Sequence, residues 1–94
     1  MKTLFEGKTL PLGRILATRN AADSLFPWEI QQALERHRNC DWGEVSGRDW
    51  KANDAAVSRE RRILSAYRTC TGKKFWIVTD SDRSATTVMM PEDY

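Results

Sequence analysis

The stretch from Arg61 to Pro91, RRILSAYRTCTGKKFWIVTDSDRSATTVMMP, decides the fold. Ile63 to Thr69 mixes apolar, β-branched and aromatic residues, Thr71-Gly72-Lys73-Lys74 carries turn chemistry, and Phe75 to Thr79 is a run of strand formers. Ser81-Asp82-Arg83-Ser84 supplies a second turn, and Ala85 to Met90 a third strand that Pro91 closes. Glycine, aspartate and serine clusters between such runs mark hairpin loops, so the spacing predicts three consecutive antiparallel strands. The middle strand, Phe75-Trp76-Ile77-Val78-Thr79, is apolar on consecutive positions. That pattern suits a central strand covered on both faces.

Upstream, Ser46 and Asp49 form an S-x-x-D start, which predicts a helix from about Gly47 to Arg59 with Trp50 and Val57 inward. Before the Asn39–Gly47 loop, Trp28 to about Arg38 reads as a helix with Pro27 in its first turn. Phe26, Ile30, Ala33, Leu34 and His37 share one face of it, leaving Glu29, Gln32, Glu35 and Arg36 outward. Asn20 reads as the N-cap of a short helix, Ala21 to Phe26, which Pro27 ends. Leu12 to Thr18 is a short strand, and Met1 to Pro11 shows no period and reads as a loosely ordered lead-in. Trp28 and Trp76 are expected in the core; Trp42, in the acidic loop Asp41-Trp42-Gly43-Glu44, suits either the core or a contact surface. The order predicts a single α+β domain over residues 1–94. It has an antiparallel β-meander of three strands, four with the N-terminal strand, packed against two or three helices.

Ninety-four residues, 40% apolar and 30% charged, suit one soluble globular domain. No apolar run approaches the roughly 20 residues of a spanning helix. The N-terminus, MKTLFEGKTLPLGR, has no apolar core of a signal peptide, so no membrane association and a cytoplasmic location are expected. Cys40 and Cys70 are too far apart in sequence to suggest a disulfide framework. A net charge of +2 does not by itself argue for nucleic acid, but its distribution is uneven. Arg59, Arg61, Arg62, Arg68, Lys73 and Lys74 face only Glu60 in that stretch, whereas Arg83 is the single base after Lys74. A basic hairpin edge can meet phosphate or an acidic protein surface, but charged edges are routine in β proteins, where they guard an edge strand from pairing.

His37 is the only histidine, so any imidazole chemistry must use it. Its place on an apolar stripe near a helix C-terminus also favours an imidazolium without catalysis. His37-x-x-Cys40 with Cys70 offers three soft ligands, one short of a structural zinc set, and Asp80-x-Asp82 lies in a turn where aspartate bonds its own backbone. No metal site is assigned. No glycine-rich phosphate loop is present and no cofactor is expected. Antiparallel pairing brings Asp82, Arg83, Ser84, Thr86 and Thr87 toward Arg59 to Arg62. A metal-independent ribonuclease needs guanidinium groups for the phosphate and one proton carrier. Arg61, Arg62 and Arg83, with His37 or Asp82, would supply them.

The blocks Leu12-Gly13-Arg14-Ile15-Leu16-Ala17-Thr18, Asp41-Trp42-Gly43 and Arg62-Ile63-Leu64-Ser65-Ala66-Tyr67 carry a resemblance. So, most specifically, does Trp76-Ile77-Val78-Thr79-Asp80-Ser81-Asp82-Arg83-Ser84-Ala85-Thr86-Thr87-Val88 through Pro91-Glu92-Asp93-Tyr94. In these blocks the chain resembles a family of small uncharacterised plasmid- and phage-borne bacterial proteins, over nearly all of its length after Pro11. The resemblance implies a mobile-element origin and hands no residue a role. More loosely, helices followed by a meander resemble RelE and barnase–colicin-like ribonuclease toxins, a likeness of fold alone. The expected function is a non-enzymatic accessory module that contacts a host protein, such as a nuclease or a defence component. Arg59, Arg61, Arg62, Lys73, Lys74 and Trp42 are its expected contact residues. A ribonuclease is the alternative, and nucleic-acid binding through the basic hairpin the second.

Overall fold

The computed structural model describes residues 9–94. Along the chain it contains β1 (Arg14–Ala17), α1 (Arg19–Ser24), α2 (Pro27–Arg38), α3 (Gly47–Arg59), β2 (Ile63–Arg68), β3 (Lys74–Thr79), β4 (Ala85–Met89) and a final 3-10 turn, Pro91–Asp93. The expected meander is β2, β3 and β4, paired antiparallel from Ile63 with Thr79 to Arg68 with Lys74, and from Trp76 with Met89 to Thr79 with Thr86. In the turn before β4, Asp82 Oδ1 accepts the Ser84 N–H at 3.0 Å, and Arg83 takes a left-handed φ of 63°.

The N-terminal strand does join the sheet, giving the order β1-β4-β3-β2, but it runs parallel to β4. The sheet is therefore mixed, not a four-stranded antiparallel meander. A parallel neighbour requires a long crossover, and the three helices together with β2 and β3 lie between β1 and β4. Gly13 makes the approach possible. At φ +65° it lies so close to the 83–84 backbone that a Cβ would collide with the carbonyl oxygens of Arg83 and Ser84.

Helix boundaries move by a few residues for identifiable reasons. Thr18, not Asn20, caps α1: still extended after β1, it accepts the Ala21 N–H on its hydroxyl at 3.0 Å. Asn20 instead reaches Glu92 and Asp93. The helix stops at Ser24, since the residue before Pro27 is pushed to extended geometry. In α2 the buried row is Glu29, Ala33 and His37, with Ile30 and Leu34 partly buried beside it. The outward expectation for Glu29 fails. It turns in because Oε1 accepts the N–H of Phe26 at 3.2 Å and Oε2 that of Cys70 at 3.1 Å. Trp28, expected in the core, is rotated out of that row and is 54% exposed. Ser46 caps α3 as its S-x-x-D start predicts, accepting the Asp49 N–H at 3.0 Å.

Two apolar clusters join helices to sheet. Ala21, Leu25 and Ala33 pack with Tyr67, Phe75, Ile77, Val88 and Met90; Leu10, Trp42 and Ala56 pack with Ile63. Ile63 and Ile77 are fully buried, each worth about 1.5–3 kcal/mol of burial. Of the expected loose lead-in, residues 1–8 lie outside the described residues, while Leu10 is core and donates its N–H to the Arg38 carbonyl at 2.8 Å. All the sheet residues in these clusters belong to one face, because strand side chains alternate. On the other face the register lines up Leu16, Thr87, Val78 and Leu64 in one row, and Met89, Trp76 and Ala66 in the next. None of these packs into a helix cluster. Among the described residues the helix clusters reach only the first face, yet Val78 and Ala66 are buried on the second, as the double-sided reading of the middle strand expects. No helix among the described residues is long and apolar enough to cross a membrane.

Candidate functional site

His37 ends the inward row of α2 and lies under the sheet with no exposed surface. Its Nδ1 is 2.5 Å from Ser65 Oγ and its Nε2 2.8 Å from Thr79 Oγ1, which is 2.7 Å from Thr86 Oγ1. The far end of this chain sets every proton. The Leu12 carbonyl can only accept, so the Thr86 hydroxyl donates to it at 2.7 Å. Thr79 then donates to Thr86, and Nε2–H of His37 donates to Thr79. Nδ1, left bare, accepts the Ser65 hydroxyl. The imidazole is therefore the neutral Nε2–H tautomer. Burial, with a smaller push from the positive charge of Arg83, lowers its pKa to about 4. Ser65, Thr79 and Thr86 are as completely buried as the ring. Serine, imidazole and threonine in hydrogen-bond contact resemble an activated nucleophile, yet no substrate atom can reach them. His37 stands here as a structural group.

The remaining ribonuclease candidates do not meet it. Arg83 does reach the start of β2, but through backbone. Its Nη1 donates to the Arg61 carbonyl at 2.7 Å and its Nη2 to the Ala56 carbonyl at 2.6 Å, closing the C-terminal end of α3. The guanidinium is taken up by carbonyls. Asp82 is exposed, its carboxyl held below the usual range by bonds from Ser84. Arg62 lies 4.9 Å over the Tyr94 ring, and Arg59 and Arg61 are exposed nearby in sequence. Lys73 and Lys74 occupy the opposite end of the β2–β3 hairpin, a strand length of roughly 20 Å away. The six bases therefore form two patches.

Trp42 cannot serve as a contact residue. It is wholly buried, donates its indole N–H to Asp54 Oδ1 at 2.9 Å, and meets the His37 ring edge-on at 5.5 Å. Its loop pairs with the sheet instead. The Ala66 N–H donates to the Trp42 carbonyl, and the Glu44 N–H to that of Ala66. The loop thus covers the outer edge of β2, where Gly43 (φ +73°) passes too close to Ala66 for any side chain. Among the described residues no three His, Cys, Asp or Glu side chains are grouped to hold a metal ion.

The concavity that sequence reasoning missed lies between α2 and the β2–β3 hairpin. It encloses about 190 Å³ and is lined by Trp28, Glu29, Arg36, Tyr67, Arg68 and Cys70, among others. Arg36 sits 4.9 Å over the Tyr67 ring and grips Asp41 at 2.9 Å; Arg68 bonds Glu44 at 2.7 Å. Trp28, which lines it, is 54% exposed. Phe26, two residues earlier in the chain, is 62% exposed. The signal was Phe26-Pro27-Trp28 itself, since once Glu29, Ala33 and His37 point inward Trp28 must look elsewhere. No family model, curated protein or solved structure matches the chain.

Proposed function

We propose that this protein is a non-enzymatic binding module that engages a protein partner through the Phe26–Trp28 end of α2 and the cleft beside it. The observation that carries the reading is the exposure of Trp28, a large aromatic side chain lining a concavity, with a second exposed aromatic, Phe26, two residues before it in the chain. Such residues dominate protein interfaces because they bury much area and lose little conformational freedom. A space of about 190 Å³ is below the range of small-molecule pockets and suits one anchoring side chain of a partner. Lys73 and Lys74, at the same hairpin end, extend the contact. The sealed imidazole and the carbonyl-bound Arg83 weigh against the ribonuclease. The resemblance to plasmid- and phage-borne proteins makes a cytoplasmic host nuclease or defence component the proposed partner.

The test is recovery of a partner from host lysate on the immobilised wild-type chain, followed by titration of the purified pair. Phe26→Ala and Trp28→Ala should each weaken the complex about 10-fold or more. Undiminished affinity in both variants refutes this surface. Metal-free cleavage of RNA by the purified chain, lost on Arg61→Gln and Arg62→Gln, would instead establish the enzyme.

A further inference from the structure

The 42–44 loop bridges to β2 at Ala66 and closes that edge of the sheet, whereas β1, at the other edge, has a neighbour on one side alone. We propose that two copies of this chain associate through β1, strand to strand about a two-fold axis, into one continuous sheet. Arg14 donates its N–H to the Ser84 carbonyl and Thr18 to that of Val88, both at 3.0 Å. Backbone groups alternate along a strand, so Arg14, Leu16 and Thr18 face β4, and the N–H and C=O groups of Ile15 and Ala17 point away from the sheet. No hydrogen bond among the described residues uses them. Every residue of β1 is exposed, Ile15 by 47% and Leu16 by 40%. An open row of donors and acceptors flanked by apolar side chains is a template for another strand.

The strand fits a reversed copy of itself. With Leu16 on the axis, Ile15 of each copy lies opposite Ala17 of the other, and each such pair exchanges two backbone hydrogen bonds. Leu16 meets its own equivalent at the close, non-hydrogen-bonded position, with Cα atoms about 4.5 Å apart, and on the helix face large Ile15 lies beside small Ala17. Charge selects the same order. Arg14 falls opposite Thr18 of the other copy, whose hydroxyl donates to the Asp93 carboxylate at 2.7 Å. Within one chain Arg14 and Thr18 are about 13 Å apart along the strand, so only reversal brings Arg14 to Asp93. Asp93 and Glu92 keep their charge while accepting from Thr18 and Asn20, and no cation among the described residues pairs with either. Near Arg14, Asp80 stands beyond Ala85, roughly 10 Å across the sheet, and Asp82 lies in the turn before β4. Neither forms an ion pair with it, and Arg19 has its own acid, Asp23, at 3.9 Å. A parallel copy would instead set Arg14 against Arg14. Four residues from each chain bury less than the about 1,200 Å² of stable complexes, so the dimer is weak, with a dissociation constant above about 1 μM.

The experiment is sedimentation equilibrium of the full chain from about 10 μM to about 1 mM, over which the mass should climb from 10.8 kDa toward twice that value. Ala17→Pro removes an outward N–H and spares the ladder to β4; it should stay monomeric with the wild-type circular dichroism spectrum. Leu16→Lys sets two ammonium groups face to face and should weaken association about 10-fold or more, which carries the test if the proline variant does not fold. Arg14→Glu should weaken it about 3- to 30-fold, two exposed ion pairs being lost. With oxidised glutathione, Leu16→Cys should link two copies by a disulfide above the wild-type background. Ile15→Cys should not, since its equivalents lie about 7–8 Å apart. Trp28→Ala should leave association unchanged, which separates this edge from the protein-binding cleft. A chain still monomeric at about 1 mM overturns the proposal. So does a dimer that survives both Leu16→Lys and a folded Ala17→Pro, one lost on Trp28→Ala, or one linked through Ile15→Cys in place of Leu16→Cys.

Discussion

Lowering the pH through the range of an ordinary histidine should destabilise this fold by an amount the His37 site specifies. The unfolded imidazole titrates near 6.5, while burial lowers the folded value to about 4. Between those values the unfolded chain binds a proton that the folded chain refuses, so stability falls as pH falls. The contribution is fully present above pH 6.5 and fully lost below about 4. A gap of 2.5 units, at about 1.4 kcal/mol each, is worth about 3 kcal/mol, of which about 2 kcal/mol is gone by pH 5. A domain of this size is stable by about 5–14 kcal/mol, so the loss is large. The carboxyls of Asp41, Asp82 and Asp93 are all held below 3.8 and act only in more acid solution, and there is no second histidine to confuse the window. Urea denaturation followed by tryptophan fluorescence at pH 7, 6 and 5 reads the effect directly. With a slope of about 1–3 kcal/mol per molar, the midpoint should drop by roughly 0.7–2 M between pH 7 and 5. A midpoint unchanged over that range would refute the claim that the folded imidazole resists protonation.

Arg83→Ala should remove the charged donor from the Arg61 and Ala56 carbonyls and cost about 2 kcal/mol, lowering the thermal midpoint by roughly 8–16 °C in a circular dichroism melt. Thr79→Val leaves Nε2–H of His37 without an acceptor and should cost about 1–3 kcal/mol in urea denaturation at pH 7. Gly43→Ala forces a Cβ into the Ala66 carbonyl at a left-handed position and should destabilise by more than about 1 kcal/mol, whereas Gly47→Ala, with open space around it, should not. Both glycine variants are compared by the same denaturation.

The meander was readable because Thr71 to Lys74 and Ser81 to Ser84 carry turn chemistry local to the chain, and local signals need no partner. What escaped depends on residues distant in sequence. Glu29 turns inward to take the Cys70 N–H, 41 positions away, as well as that of Phe26, and its turning in sends Trp28 to the surface. The arginine of Asp82-Arg83-Ser84 looked like a phosphate ligand, since nothing near it announces the α3 carbonyls that occupy it. Phe75 to Thr79 reads as doubly covered, and Ile77 and Val78, on opposite faces of the strand, are both buried, although the helix clusters among the described residues account for one face alone. A run of apolar residues records burial, not what performs it. The parallel sense of β1 rests on the path of the whole chain between it and β4, which no window of residues contains.

The case for binding over catalysis depends on the chain's single imidazole being walled off and neutral. Nitrogen NMR of the His37 ring, recorded from pH 7.5 to 5, probes that state without unfolding anything. The Nε2–H tautomer should persist throughout, with its two nitrogens distinct and unmoved until near pH 4. Averaged tautomers, or a titration centred near 6.5 as for an imidazole open to water, would contradict the account and make His37 a catalytic candidate again.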